Sequence, residues 1–143
     1  MRSRDVAAAL VGELRDLGFP SSVVLQRAYL PLTELGEVEA LHVTVLINGR
    51  TTTMAGRGRM QIDHRLELAV QQRLGSDDPS AVDSLLDLVE DLTRTLSARR
   101  LAEAPDAVWV QAEHAPLVAT EHLHELRQFT SLLTLTYRSW ETV

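Results

Sequence analysis

The sequence predicts a single α+β domain over residues 1–143, a mostly antiparallel sheet of four to five strands with two long helices packed on one face. Three observations carry this. Residues 41–47, 60–71 and 128–140 alternate apolar and polar side chains at the strand period of two. Residues 5–17 and 81–96 instead repeat apolar residues at helical spacing. The chain has 143 residues, 45% of them hydrophobic and 24% charged, enough to bury one core without staples.

Residues 5–17 read as the first helix. Val6, Leu10, Leu14 and Leu17 share a face, Ser3 can cap the start, and Gly18 followed by Pro20 ends it. A strand is expected near residues 22–30, and residues 31–39, with a Pro, a Gly and several Glu, read as a connection. Leu41, Val43, Val45 and Ile47 then form one face of a strand. Met60, Ile62, His64, Leu66, Leu68 and Val70 form one face of the next, opposite Gln61, Asp63, Arg65, Glu67, Ala69 and Gln71. Residues 48–59 (NGRTTTMAGRGR) lie between these strands as a long hairpin loop, where about 2 to 5 residues are usual.

Ser76, Asp77, Asp78 and Pro79 announce the second helix with capping side chains, acid in the first turn and an early Pro. Its apolar stripe is Val82, Leu85, Leu86, Val89, Leu92 and Leu96, with Arg99 and Arg100 near its end, where cations suit the dipole. Residues 107–112 form a short strand and residues 120–126 one or two helical turns. The final strand, 128–140, has Phe129, Leu133, Leu135 and Tyr137 on one face. With both helices on the apolar face, the open face carries Thr44, Asp63, Arg65, Glu67, Thr130, Thr134 and Thr136. It is expected to be solvated, or to meet a neighbour if the chain assembles into a ring.

Several function classes lose support from composition. A net charge of −6 argues against a protein whose main task is gripping nucleic acid. The absence of cysteine excludes disulfides and thiolate zinc sites. No apolar run approaches the roughly 20 residues needed to span a bilayer. Acidic residues interrupt the apolar stretch at the N-terminus, unlike a secretion signal. The expected location is therefore a cytosol, or particles assembled in one. All 14 basic residues are Arg, which a GC-rich coding genome explains and which also suits interfaces.

The search for chemistry finds little. His122 and His124 stand at i and i+2, pointing about 200° apart on a helix, a poor chelate. The run from His124 to Gln128 misses the HExxH pattern, because Gln128 stands where the second His would be. His64 reads as a hydrogen-bonded core or interface histidine. Gly56-Arg57-Gly58 has neither phosphate-loop spacing nor a strand-to-helix context. Asp83, Asp87, Glu90 and Asp91 fall mainly off the apolar stripe, where solvation explains them. No catalytic residue, metal ligand or cofactor site is therefore assigned, and the expectation is that the chain is not an enzyme. What remains is the loop with Arg50, Arg57 and Arg59, either a plain surface loop or an arm that orders against an acidic partner.

The element order and two segments together resemble a known family. A hairpin ends in MQIDHRLELAVQQRL, and the chain closes on a strand with Phe129, Ser131, Leu133, Leu135, Tyr137 and Arg138. This resembles bacteriophage tail terminators, small neck proteins, across nearly the whole chain. The resemblance implies a structural virion protein with no catalytic residues. It implies a six-fold ring on the tail tube that stops tube growth, admits DNA and meets the head connector. The Arg-rich loop matches no feature of that family. Independently, residues 61–73 and 128–140 are long strands without Lys or Pro, the usual devices for blunting an edge, so self-association through a sheet face or edge is expected. Another neck component, such as a head-completion or minor capsid protein, is the alternative reading. A small-ligand-binding ferredoxin-like domain is a further one.

Overall fold

The computed structural model describes residues 1–29, 40–75 and 79–143. Its elements are α1 (Ser3–Arg15), β1 (Val24–Ala28), β2 (His42–Gly56), β3 (Arg59–Arg73), α2 (Pro79–Leu96), β4 (Val108–His114), α3 (Thr120–Leu126) and β5 (Gln128–Thr142). The five strands form one sheet in the order β1-β2-β3-β5-β4.

The period-two pattern does what it predicts. Val45, Leu68 and Leu133 stand side by side across β2, β3 and β5, as do Ile47, Leu66 and Leu135. These rows share one core with Val6, Leu10 and Leu14 of α1 and with Leu85, Val89, Leu92 and Leu96 of α2. α1 lies over β1, β2 and β3, and α2 over β5, so both long helices cover the same face. Burying each such side chain contributes about 1.5–3 kcal/mol, and this packing is the main force holding helices to sheet.

Several expectations need correction. The sheet is mostly antiparallel, as expected, but it is mixed, because β1 runs parallel to β2. Thirteen residues separate Ala28 from His42, the dozen or more that a parallel connection requires. Residues 48–59 are not a long loop. β2 and β3 continue their pairing almost to the end, with Gly56 opposite Arg59, and only Arg57 and Gly58 make the turn. Gly56 (φ 145°) and Gly58 (φ 72°) supply conformations that side chains disfavour. β1 is shorter than expected, and the connection at 31–39, like the capping residues 76–78, lies outside the described residues.

Ser3 does not cap α1. Arg2 occupies that position without a side-chain bond, and Ser3 sits in the first turn, bonded to His64. Arg99 and Arg100 lie beyond the end of α2. Ala98, at φ 59°, turns the chain out of the helix, and Arg99 reaches Glu13 of α1 instead. That guanidinium lowers the pKa of the buried Glu13 carboxyl.

The open face is drier than the sequence suggests. Its predicted members share one side of the sheet, but Thr44, Thr130 and Thr136 are at most 5% exposed. His122 of α3 and Gln128 both hydrogen-bond Thr130, and Arg65 lies beside Thr136. Thr44 Oγ1 and the Gln71 amide are buried without hydrogen-bond partners among the described residues. Burial also raises the pKa of Glu67 on this face.

Candidate functional site

The feature that departs most from a plain helix-on-sheet domain is a ribbon at one end of the sheet. β1 stops pairing at Leu46 and β4 at Arg138, yet β2, β3 and β5 run on together. Thr142 stands opposite Arg59, and the Val143 amide donates to the Gly58 carbonyl at 2.9 Å. The ribbon is therefore three-stranded, its outer edges formed by residues 47–56 and 139–142. Thr51, Thr52 and Thr53 suit it because β-branched side chains favour extended backbone even without a core to bury. Residues 51–59 are all exposed.

Two clusters hold its root. On the face away from the long helices, Arg138 grips Asp63 with two parallel hydrogen bonds of 2.7 and 3.1 Å, and this pairing lowers the Asp63 pKa. Arg65 donates to Thr51 Oγ1 at 2.6 Å. It lies so close to β2 that a Cβ on Gly49, beside the bulge there, would come within 2.5 Å of its Nη2 and displace the end of this guanidinium.

On the helix side, His64 is fully buried between Ser3 (Nδ1–Oγ 2.8 Å) and Ser139 (Nε2–Oγ 2.9 Å). It thereby ties the start of α1 to β3 and β5. Burial, first, then the Arg50 and N-terminal charges lower its pKa, outweighing Asp63 and Glu141. Glu141 accepts from the N-terminal amine, which lowers the Glu141 pKa, and Arg50 lies 4.0 Å away.

Arg50, Arg57 and Arg59 therefore do not form one patch. Arg50 faces the helix side at the root, opposite His64, beside Glu141. Arg57 occupies the terminal turn. Arg59 stacks on Trp140, its guanidinium 5.3 Å from the ring centroid, an arrangement that immobilises a cation at the tip. Met54 (70% exposed) and Val143 (75%) add apolar surface. Sequence reasoning missed Trp140 and Glu141 as parts of this site. No apolar–polar alternation marks residues 140–143, all of them exposed, so the sequence carried no signal for this extension.

Such a ribbon offers unpaired backbone edges and a cationic, partly apolar tip, which suit contact with protein surfaces. At the opposite end of the sheet, an open cavity of about 410 Å³ is lined by Leu74, Val82, Thr120, Leu123, His124 and Arg127. His114, on β4, bonds Thr93 of α2 at 2.8 Å and has a pKa lowered by burial. Among the described residues no group of three His, Asp or Glu side chains could hold a metal ion. Among them, no helix is long and apolar enough to cross a membrane. No family model matches the chain, and no curated protein matches it.

Proposed function

We propose that this chain is a structural assembly protein without catalysis of its own, a bacteriophage tail terminator. Copies close into a ring of about six at the head-proximal end of the tail tube. There the ring ends tube growth and meets the head connector, leaving a passage for DNA. Assembly takes place in the host cytoplasm, and the ring stays in the virion neck.

The ribbon is the observation that carries this reading. β2, β3 and β5 are each 15 residues long, against a usual five or six. Their shared extension has no Lys and no Pro at either outer edge. A strand edge left open in this way pairs readily with another chain, and monomeric proteins usually protect it. Beyond its root, where the start of α1 packs, the ribbon's exposed residues 51–59 stand clear of the helix layer, so they can reach a neighbour without disturbing the core.

Disrupting the reading frame in the phage or prophage that encodes it tests the proposal. Overlong tails of uneven length, unable to join filled heads, are the expected product. Tails of normal length joined to heads would contradict it.

A further inference from the structure

We propose that the ribbon tip of one copy docks on the exposed acidic stripe of α2 in a second copy, a head-to-tail contact between two different surfaces. It rests on the reading that copies of this chain assemble, and it names the surfaces that meet.

The tip carries Arg57 and Arg59, and neither enters an ion pair among the described residues. Stacking on Trp140 holds Arg59 in place, so little side-chain freedom is lost when it meets an anion. On α2, Asp83, Asp87 and Glu90 are all exposed and fall at i, i+4 and i+7, one line along the helix. Among the described residues, the adjoining Asp91 is the one acid of this stretch in an ion pair, with Arg94 at 3.7 Å. Half-buried Leu86 lies beside that line, between Asp83 and Glu90, and offers apolar contact to a residue such as exposed Met54.

The two surfaces sit at opposite ends of the molecule. Val82, one residue before Asp83, lines the same cavity as Leu74, which follows the last residue of β3. The ribbon tip is at the first residue of β3. Fifteen residues of strand separate them, about 50 Å at roughly 3.3 Å per residue. A paired ribbon cannot fold back over that distance, so its complement within this chain is reachable only on another copy. A contact between unlike surfaces propagates, closing into a ring when the rotation per copy allows.

Disulfide trapping tests this cleanly, because these 143 residues contain no cysteine. The variants Arg57→Cys and Asp87→Cys are purified separately, mixed and exposed to a mild oxidant. Cross-linked heterodimer should form at least tenfold faster than homodimer of either variant alone. Adding Asp83→Arg and Glu90→Arg to the helix variant should slow it at least tenfold, as should 1 M salt. The double variant Arg57→Cys/Asp87→Cys should give a ladder that ends at the closed ring. Equal rates in the mixture and the single variants would overturn the contact. So would trapping only with an added acidic protein, which would make that protein the occupant. Rings seen by electron microscopy without the cross-link would remove this contact and keep the ring. A ladder without rings would keep the contact and remove the terminator reading.

Discussion

Replacing His64 by Gln probes the root of the ribbon, and pH separates its contribution from those of its neighbours. His64 is fully buried, bonded to Ser3 and Ser139, and its pKa is lowered chiefly by burial. Unfolded, it titrates near pH 6.5. The unfolded chain therefore binds this proton more readily. The stability that neutral His64 contributes is complete above about pH 6.5 and is lost as the pH falls through the folded pKa. The steepest slope one such group can give is about 1.4 kcal/mol per pH unit. At pH 7.5 the substitution should cost about 1–3 kcal/mol, from two hydrogen bonds of about 0.5–1.5 kcal/mol each. Urea unfolding at pH 7.5, 6.5 and 5.5 measures both effects. Wild type should lose stability over this range, and His64→Gln should lose less, the difference in slope staying within that limit. His114, also lowered by burial, accounts for part of the remaining slope and is common to both proteins. The lowered carboxyls of Glu13 and Asp63 titrate below this window. Parallel stability curves would refute the argument that His64 is held neutral between the two serines.

The double substitution Arg57→Ser/Arg59→Ser should shift stability by less than about 0.5 kcal/mol, read as an almost unchanged Tm, while lowering self-association in sedimentation velocity. Asp63→Ala should cost about 1 kcal/mol in urea unfolding, because it strands Arg138 but leaves both positions partly solvated (32% and 22% exposed). Leu68→Ala, at a fully buried position shared by both helices and the sheet, should cost about 2–5 kcal/mol in the same assay. Gly58→Ala places a side chain at φ 72° and should cost about 1–2 kcal/mol, seen as faster amide exchange at the ribbon tip.

Where a periodic pattern had a buried face to report, the sequence read true. The alternation of residues 60–71 named the core side of β3, including His64, and residues 120–126 matched α3. The ribbon was hidden because neither of its faces is buried along residues 51–59, so no period of two appears and Thr, Gly and Arg read as loop. Strand direction was equally hidden, since β1 alternates the same way whichever way it runs. The length of its connection to β2 was the usable clue. Of the candidate site, the arginines were visible, but their division between a root and a tip depends on β5 arriving as the third strand. Thr44 and Gln71 looked like solvated positions, although their burial depends on neighbours distant in sequence.

Electron microscopy of the head-proximal end of an assembled tail tests the central claim most directly. The account predicts a closed ring of about six copies on the last ring of tube subunits, each copy reaching its neighbour through the ribbon of β2, β3 and β5. Finding the chain there as an isolated copy, or only inside the capsid, would contradict it.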